Sequence, residues 1–155
     1  MKTIARFAVV LVALQALPLA AYDIKGAKPV TKLGEQQTKA KADKKLVTLV
    51  YKGSDNTCPH CAAAAENGIK AVQSSSVMVV ITEQEAKESS IVSKLPKAIQ
   101  DVLSVQHRGA YVSFTVFDAD LTKVIASGDR FALEKDQKKI HAFTNLVREA
   151  KKEIK

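Results

Sequence analysis

The chain reads as a single α/β domain, a central mixed sheet of about four strands flanked by helices. Three observations predict this class. Two short β-branched runs, residues 46–51 and 77–81, bracket a segment rich in Ala; two further β-rich runs, 111–117 and 123–127, sit either side of a turn; and the C-terminal segment repeats its apolar residues at helical spacing. A strand, helix, strand order demands parallel pairing, whereas a tight turn between strands gives an antiparallel pair, so the sheet must be mixed.

Each element has its own warrant. Residues 22–44 are polar and Lys-rich, with Gly26, Pro29 and Gly34 as breakers, and good helix formers over 35–44 predict one short helix in an otherwise loose linker or N-terminal arm. Leu46-Val47-Thr48-Leu49-Val50-Tyr51 is apolar on both faces, the pattern of a strand buried in a sheet interior, and Gly53-Ser54-Asp55-Asn56 ends it. A helix then runs through the Ala-rich stretch to about residue 74, with Pro59 in its first turn, where a missing N–H costs nothing. Val77-Met78-Val79-Val80-Ile81 is a second buried strand; Thr82 and Glu85 have the spacing of a capping box, predicting a short helix over 83–90. Ser93 is the expected cap of the next helix, in which Leu95, Ile99, Val102 and Leu103 share a face. Asp118-Ala119-Asp120 turns the hairpin, and Ile140, Phe143, Val147, Ala150 and Ile154 mark an amphipathic terminal helix.

The N-terminus bears on compartment. Lys2 and Arg6 precede an apolar run over 7–20 that is interrupted by Gln15, and Pro18-Leu19-Ala20-Ala21 offers a small-residue cleavage point before Tyr22. That is the pattern of a secretory signal peptide over residues 1–21. The run is shorter than the roughly 20 residues that cross a bilayer, so no stable membrane insertion is expected once it is cleaved. The 155 residues less the 21 of the leader leave 134, enough for one ordinary domain, expected over 45–155. The formal charge of +8 falls to +6 without Lys2 and Arg6, and the remaining basic residues are scattered. A nucleic-acid surface needs a basic stripe interleaved with aromatics; the chain has no Trp and three Tyr, so nucleic acid is not an expected partner.

Cys58-Pro59-His60-Cys61 holds both cysteines of the chain. Ala62 follows, which excludes the Cys-x-x-Cys-His pattern of covalent haem attachment. Two thiols so spaced can exchange disulfides, close a static disulfide, bind a soft metal such as copper or zinc, or be incidental to a binding module. A static bridge across so short a loop removes little chain entropy. A closed zinc site needs two more ligands, and His107 and His141 are too distant in sequence to be assigned. An exported pair of this kind meets oxidising surroundings, which favours exchange. At a helix N-terminus the Cys58 thiolate is favoured by unpaired N–H groups and the helix dipole, making Cys58 the nucleophile and Cys61, one turn deeper, the resolving thiol.

The run Lys45-Leu-Val-Thr-Leu-Val-Tyr-Lys-Gly-Ser-Asp-Asn-Thr-Cys-Pro-His-Cys resembles the first strand and active-site turn of secreted bacterial thioredoxin-family proteins, and its Cys-Pro-His-Cys is of the DsbA type. The likeness extends more weakly over residues 35–154. It implies a thioredoxin-like fold, dithiol-disulfide exchange through Cys58 and Cys61, and an oxidising or isomerising role. His60 would add charge or a hydrogen bond to the Cys58 thiolate, in a loop completed by Pro59 and Thr57. It also implies protein thiol or disulfide substrates, a redox partner protein, a periplasmic or secreted location, and neither cofactor nor resident metal. The same two thiols could instead serve metal handling or cofactor assembly. Three positions depart from the family pattern. Thr57 stands where Trp is usual, Lys52 stands near the place of a buried Asp, and Tyr111 or Val112 stands where a cis-Pro faces the substrate. A cis bond without Pro costs about 3 kcal/mol, so a trans peptide is expected. Tyr111 and Val112 are the substrate-facing candidates, with Tyr111 and Phe114 otherwise read as core.

Overall fold

The computed structural model describes residues 22–55, 57–106 and 111–154. The leader reading over 1–21 and the question of His107 lie outside these residues. A two-residue strand β1 (Lys28–Pro29) leads through a 3-10 turn (Val30–Lys32) into α1 (Leu33–Ala42). Then come β2 (Leu46–Lys52), α2 (Pro59–Val72), β3 (Ser76–Thr82), α3 (Glu83–Lys87), α4 (Ser89–Val92), α5 (Lys97–Gln106), β4 (Ser113–Phe117), β5 (Val124–Asp129), α6 (Arg130–Leu133) and α7 (Gln137–Glu153).

The sheet has five strands in the order β1-β3-β2-β4-β5, with β3 parallel to β1 and β2, and β4 antiparallel to β2 and β5. Strand β2 sits in the middle, which is why both of its faces are apolar. Side chains alternate across a strand, so Leu46 and Val50 join one core while Val47, Leu49 and Tyr51 join the other. The first core also takes Phe114, Val116, Phe143 and Val147, and lies beneath α2 and α7; the second takes Leu33, Ala40, Ile99 and Leu103 beneath α1 and α5. Inside the sheet Thr48 and Ser76 hydrogen-bond at 2.7 Å, which satisfies two buried hydroxyls.

Most sequence expectations meet their element within a residue or two. The Thr82 hydroxyl accepts the Glu85 N–H and the Glu85 carboxylate accepts the Thr82 N–H, completing the capping box. Four differ. The segment 22–44 is packed: its helix spans Leu33–Ala42, β1 pairs with β3, and Tyr22, Ile24, Val30 and Leu33 are buried. Few but well-spaced apolar residues anchor it, and average polarity hid them. Ser93 does not cap α5; it follows α4, and α5 begins after Pro96, whose carbonyl accepts the N–H groups of Ile99 and Gln100. A proline ring disfavours helical geometry in the residue before it, so Leu95 cannot start that helix. The short helix α6 has no counterpart in the sequence reading. Finally, Phe114 is core, but Tyr111 is not: it is 38% exposed. Among the described residues no helix is long and apolar enough to cross a membrane.

Candidate active site

The central strand β2 ends at Lys52, and the turn after it delivers Cys58 to the N-cap of α2. Cys58 is extended (φ −65°, ψ 116°), Pro59 takes the first helical position, and the Ala62 N–H bonds the Cys58 carbonyl at 3.0 Å. Cys58 is therefore partly exposed at the helix mouth, while Cys61, a turn further in, is fully buried. Both are free thiols.

Their protonation preferences diverge. The Cys58 pKa lies below the ordinary thiol value, chiefly because the Cys61 backbone N–H faces its sulfur; the Cys61 thiol, the His60 N–H and the Arg130 side chain add to this against partial burial. The Cys61 pKa lies above the ordinary value: burial is the main cause, the Val112 backbone offsets it in part, and the proximity of Cys58 raises it further. The two sulfurs are thus shifted in opposite directions, ionisation being favoured at Cys58 and disfavoured at Cys61.

Of the other residues singled out from sequence, Pro59 and Thr57 stand in the loop, with Thr57 Oγ1 3.5 Å from Asp55 Oδ1. Val112 is fully buried and presents its backbone to Cys61; the described peptide bonds are all trans. The His60 imidazole sets its Nδ1 2.6 Å from Glu134 Oε1, while the hydrogen bond expected of His60 toward the Cys58 sulfur comes from its backbone N–H. Glu134 follows α6, and the Asn67 side-chain amide donates to the Leu133 and Glu134 carbonyls at 2.8 and 3.2 Å, fastening α6 to α2.

Arg130 is the residue the sequence reading missed. It opens α6, where Asp129 caps by accepting the Ala132 N–H at 2.8 Å. Its guanidinium lies 4.4 Å from the Tyr111 ring centre and 4.3 Å from that of Phe131, while the two rings meet edge to face at 5.8 Å. Cation–π contact on two rings holds the charge beside the dithiol. Asp129 is a favoured N-cap residue type, but Ala132 stands where a capping box has Glu or Gln, so the sequence carried only half of the signal for α6. Tyr111 thus reaches the dithiol through Arg130. Among the described residues no cluster of three or more His, Cys, Asp or Glu side chains could hold a metal.

No protein-family model matches the chain, and no curated protein does. Among solved structures the chain is similar to "disulphide isomerase from Xylella fastidiosa Temecula1", at 18% identity and a TM-score of 0.51, over 83% of this chain and 97% of that one. At that identity the likeness concerns the backbone alone. Taken with the mixed sheet, its β1-β3-β2-β4-β5 order and the flanking helices, it identifies the architecture of this chain as the thioredoxin-like α/β fold.

Proposed function

We propose that this chain is an exported thiol-disulfide oxidoreductase in which Cys58 is the nucleophile and Cys61 the resolving thiol. The observation that carries the reading is the asymmetry of the pair: an accessible sulfur favoured as thiolate at a helix start, and a buried one kept protonated. The thiolate is the attacking species in disulfide exchange, so the accessible, acidic member must act first. The fold and the name of the similar solved structure agree with this chemistry. The groups that favour the Cys58 thiolate stabilise the reduced form, which raises the reduction potential and favours an oxidising or isomerising role. A periplasmic or secreted location follows from the leader pattern, and protein thiols or disulfides together with a redox partner protein are the expected partners.

The test is a pair of variants in a scrambled-disulfide refolding assay with glutathione buffer. Cys58→Ser should lose activity. Cys61→Ser should instead accumulate mixed disulfides through Cys58, visible as a mass increase that dithiothreitol reverses. A Cys58→Ser protein as active as the parent would end the proposal. The potential should lie above about −270 mV, the value of thioredoxin; a value below about −300 mV would identify a static disulfide.

A further inference from the structure

The polar arm contributes a group that disulfide exchange has not yet used. Tyr22 is 8% exposed and belongs to the same core cluster as Cys61. Its hydroxyl is buried and has no hydrogen-bond partner. A buried polar atom left unpaired is uncommon and calls for a reason. The arm is held in place: the Ala27 N–H bonds the Ile24 carbonyl at 3.1 Å across a turn that needs the positive φ (83°) of Gly26, and β1 then pairs in parallel with β3. Lys52, at the end of β2, sets its ammonium 5.2 Å from the Tyr22 ring centre.

We propose that the Tyr22 hydroxyl is a positioning residue of the resolving step, donating a hydrogen bond to the Cys61 sulfur as that sulfur becomes a thiolate. The inference rests on the reading of Cys58 and Cys61 given above. In that step Cys61 gives up its proton to solvent, its sulfur bonds to Cys58 Sγ, and the bond from Cys58 to the substrate sulfur breaks. The electron pair leaves on the substrate sulfur, which takes a proton from solvent; the enzyme dithiol is oxidised by two electrons and the substrate disulfide reduced by two. The transient charge on Cys61 arises in a fully buried place, where a neutral donor is worth most. Tyr22 suits that task. Burial, and then the charges of Cys61, Cys58 and Asp55, hold its pKa above the ordinary phenol value, so it keeps a proton to donate. In the resting site neither sulfur lies within hydrogen-bond reach of the buried hydroxyl, so the bond forms only when charge on Cys61 draws the two groups together.

Tyr22→Phe removes one oxygen and keeps the ring in its place. In the full chain, Cys58 would be loaded with glutathione and the release of glutathione by Cys61 followed in stopped flow against pH. Release should slow about tenfold, the scale of one hydrogen bond to a charged group, and its pH profile should move to higher pH. In the Cys58→Ser background, Cys61 should alkylate more slowly when Tyr22 is Phe. The melting temperature should match or exceed the parent's, since an unpaired hydroxyl has gone. Unchanged release and an unchanged pH profile would overturn the proposal and leave the hydroxyl a packing defect. Failure of the parent to form the Cys58 adduct would instead overturn the oxidoreductase reading beneath it.

Discussion

Gly68→Ala separates local propensity from tertiary packing, because the two predict opposite signs. Gly68 lies inside α2, where alanine is favoured by about 1 kcal/mol. A methyl group there would meet the Phe114 ring at 2.4, 2.6 and 2.6 Å from Cε2, Cδ2 and Cζ. Ordinary carbon contacts begin near 3.5 Å, so the overlap is about 1 Å on three ring atoms at once. Phe114 cannot swing aside: it is fully buried in β4, between Val50 of β2 and Gly128 of β5. Overpacking typically costs about 1–3 kcal/mol, and an overlap this deep belongs at or beyond the upper end. Net of the propensity gain, the variant should lose about 2 kcal/mol or more of stability. Urea unfolding of the reduced protein measures this as a lower midpoint at unchanged slope. Because the same helix carries both cysteines and the Asn67 tie to α6, Cys58 alkylation should slow as well. A Gly68→Ala protein as stable as the parent would refute the close approach of α2 to the sheet on which the site geometry depends.

Three further outcomes follow from the charges. Arg130→Met should slow iodoacetamide alkylation of Cys58, measured on the acid side of its titration, by about threefold, the scale of a solvent-screened ion pair; an unchanged rate would remove Arg130 from the site. His60→Ala should matter less, because Glu134 engages the imidazole; an effect larger than that of Arg130→Met would reverse this assignment. Glu83 is held at a pKa of about 2, first by Lys87 and then by its bond to Ser54, against an ordinary value of 4.5. Its folded value is the lower one, so its contribution to stability is present above the ordinary value and is lost as pH falls toward about 2. Glu83→Gln should flatten the acid limb of a stability-against-pH curve in that window, and an equally steep limb would show that neither the Lys87 pair nor the Ser54 tie contributes.

What was legible in the sequence is what hydrophobic periodicity and motif spacing encode. Strands β2 and β3 announce themselves as unbroken apolar runs because both faces of a central strand are buried, and α7 by its apolar stripe. The Cys pair at the start of α2 was legible because proline and the preceding turn fix where that helix can begin. What was not legible depended on contacts between segments distant in sequence. β1 is two residues long, and nothing local distinguishes it from a loop; it exists because β3 offers an edge to it. Tyr111 reads as a strand aromatic but lies just before β4, where the guanidinium of Arg130 stacks on its exposed ring. His60 was expected to give Cys58 charge or a hydrogen bond because it stands in the same loop, and its backbone N–H does favour that thiolate. The carboxylate that engages its imidazole comes from 74 residues away, and the side chain of Arg130, similarly distant in sequence, joins it at the sulfur.

The arrangement around the two sulfurs also orders their chemistry. Burial keeps Cys61 protonated, and the presence of Cys58 raises its pKa further. Once Cys58 is bonded to a substrate sulfur it carries no charge, so the part of that elevation due to its thiolate disappears while the backbone of Val112 and the charge of Arg130 still favour the Cys61 anion. Cys61 is thus hardest to ionise when there is nothing for it to attack and easier to ionise when a mixed disulfide stands one helical turn away. On the exchange proposed above, Arg130 would serve both stages from one position, since it favours the thiolate of Cys58 and that of Cys61. The loop imidazole is tied to Glu134, and the cation beside the dithiol is supplied by the short helix that follows the edge strand β5.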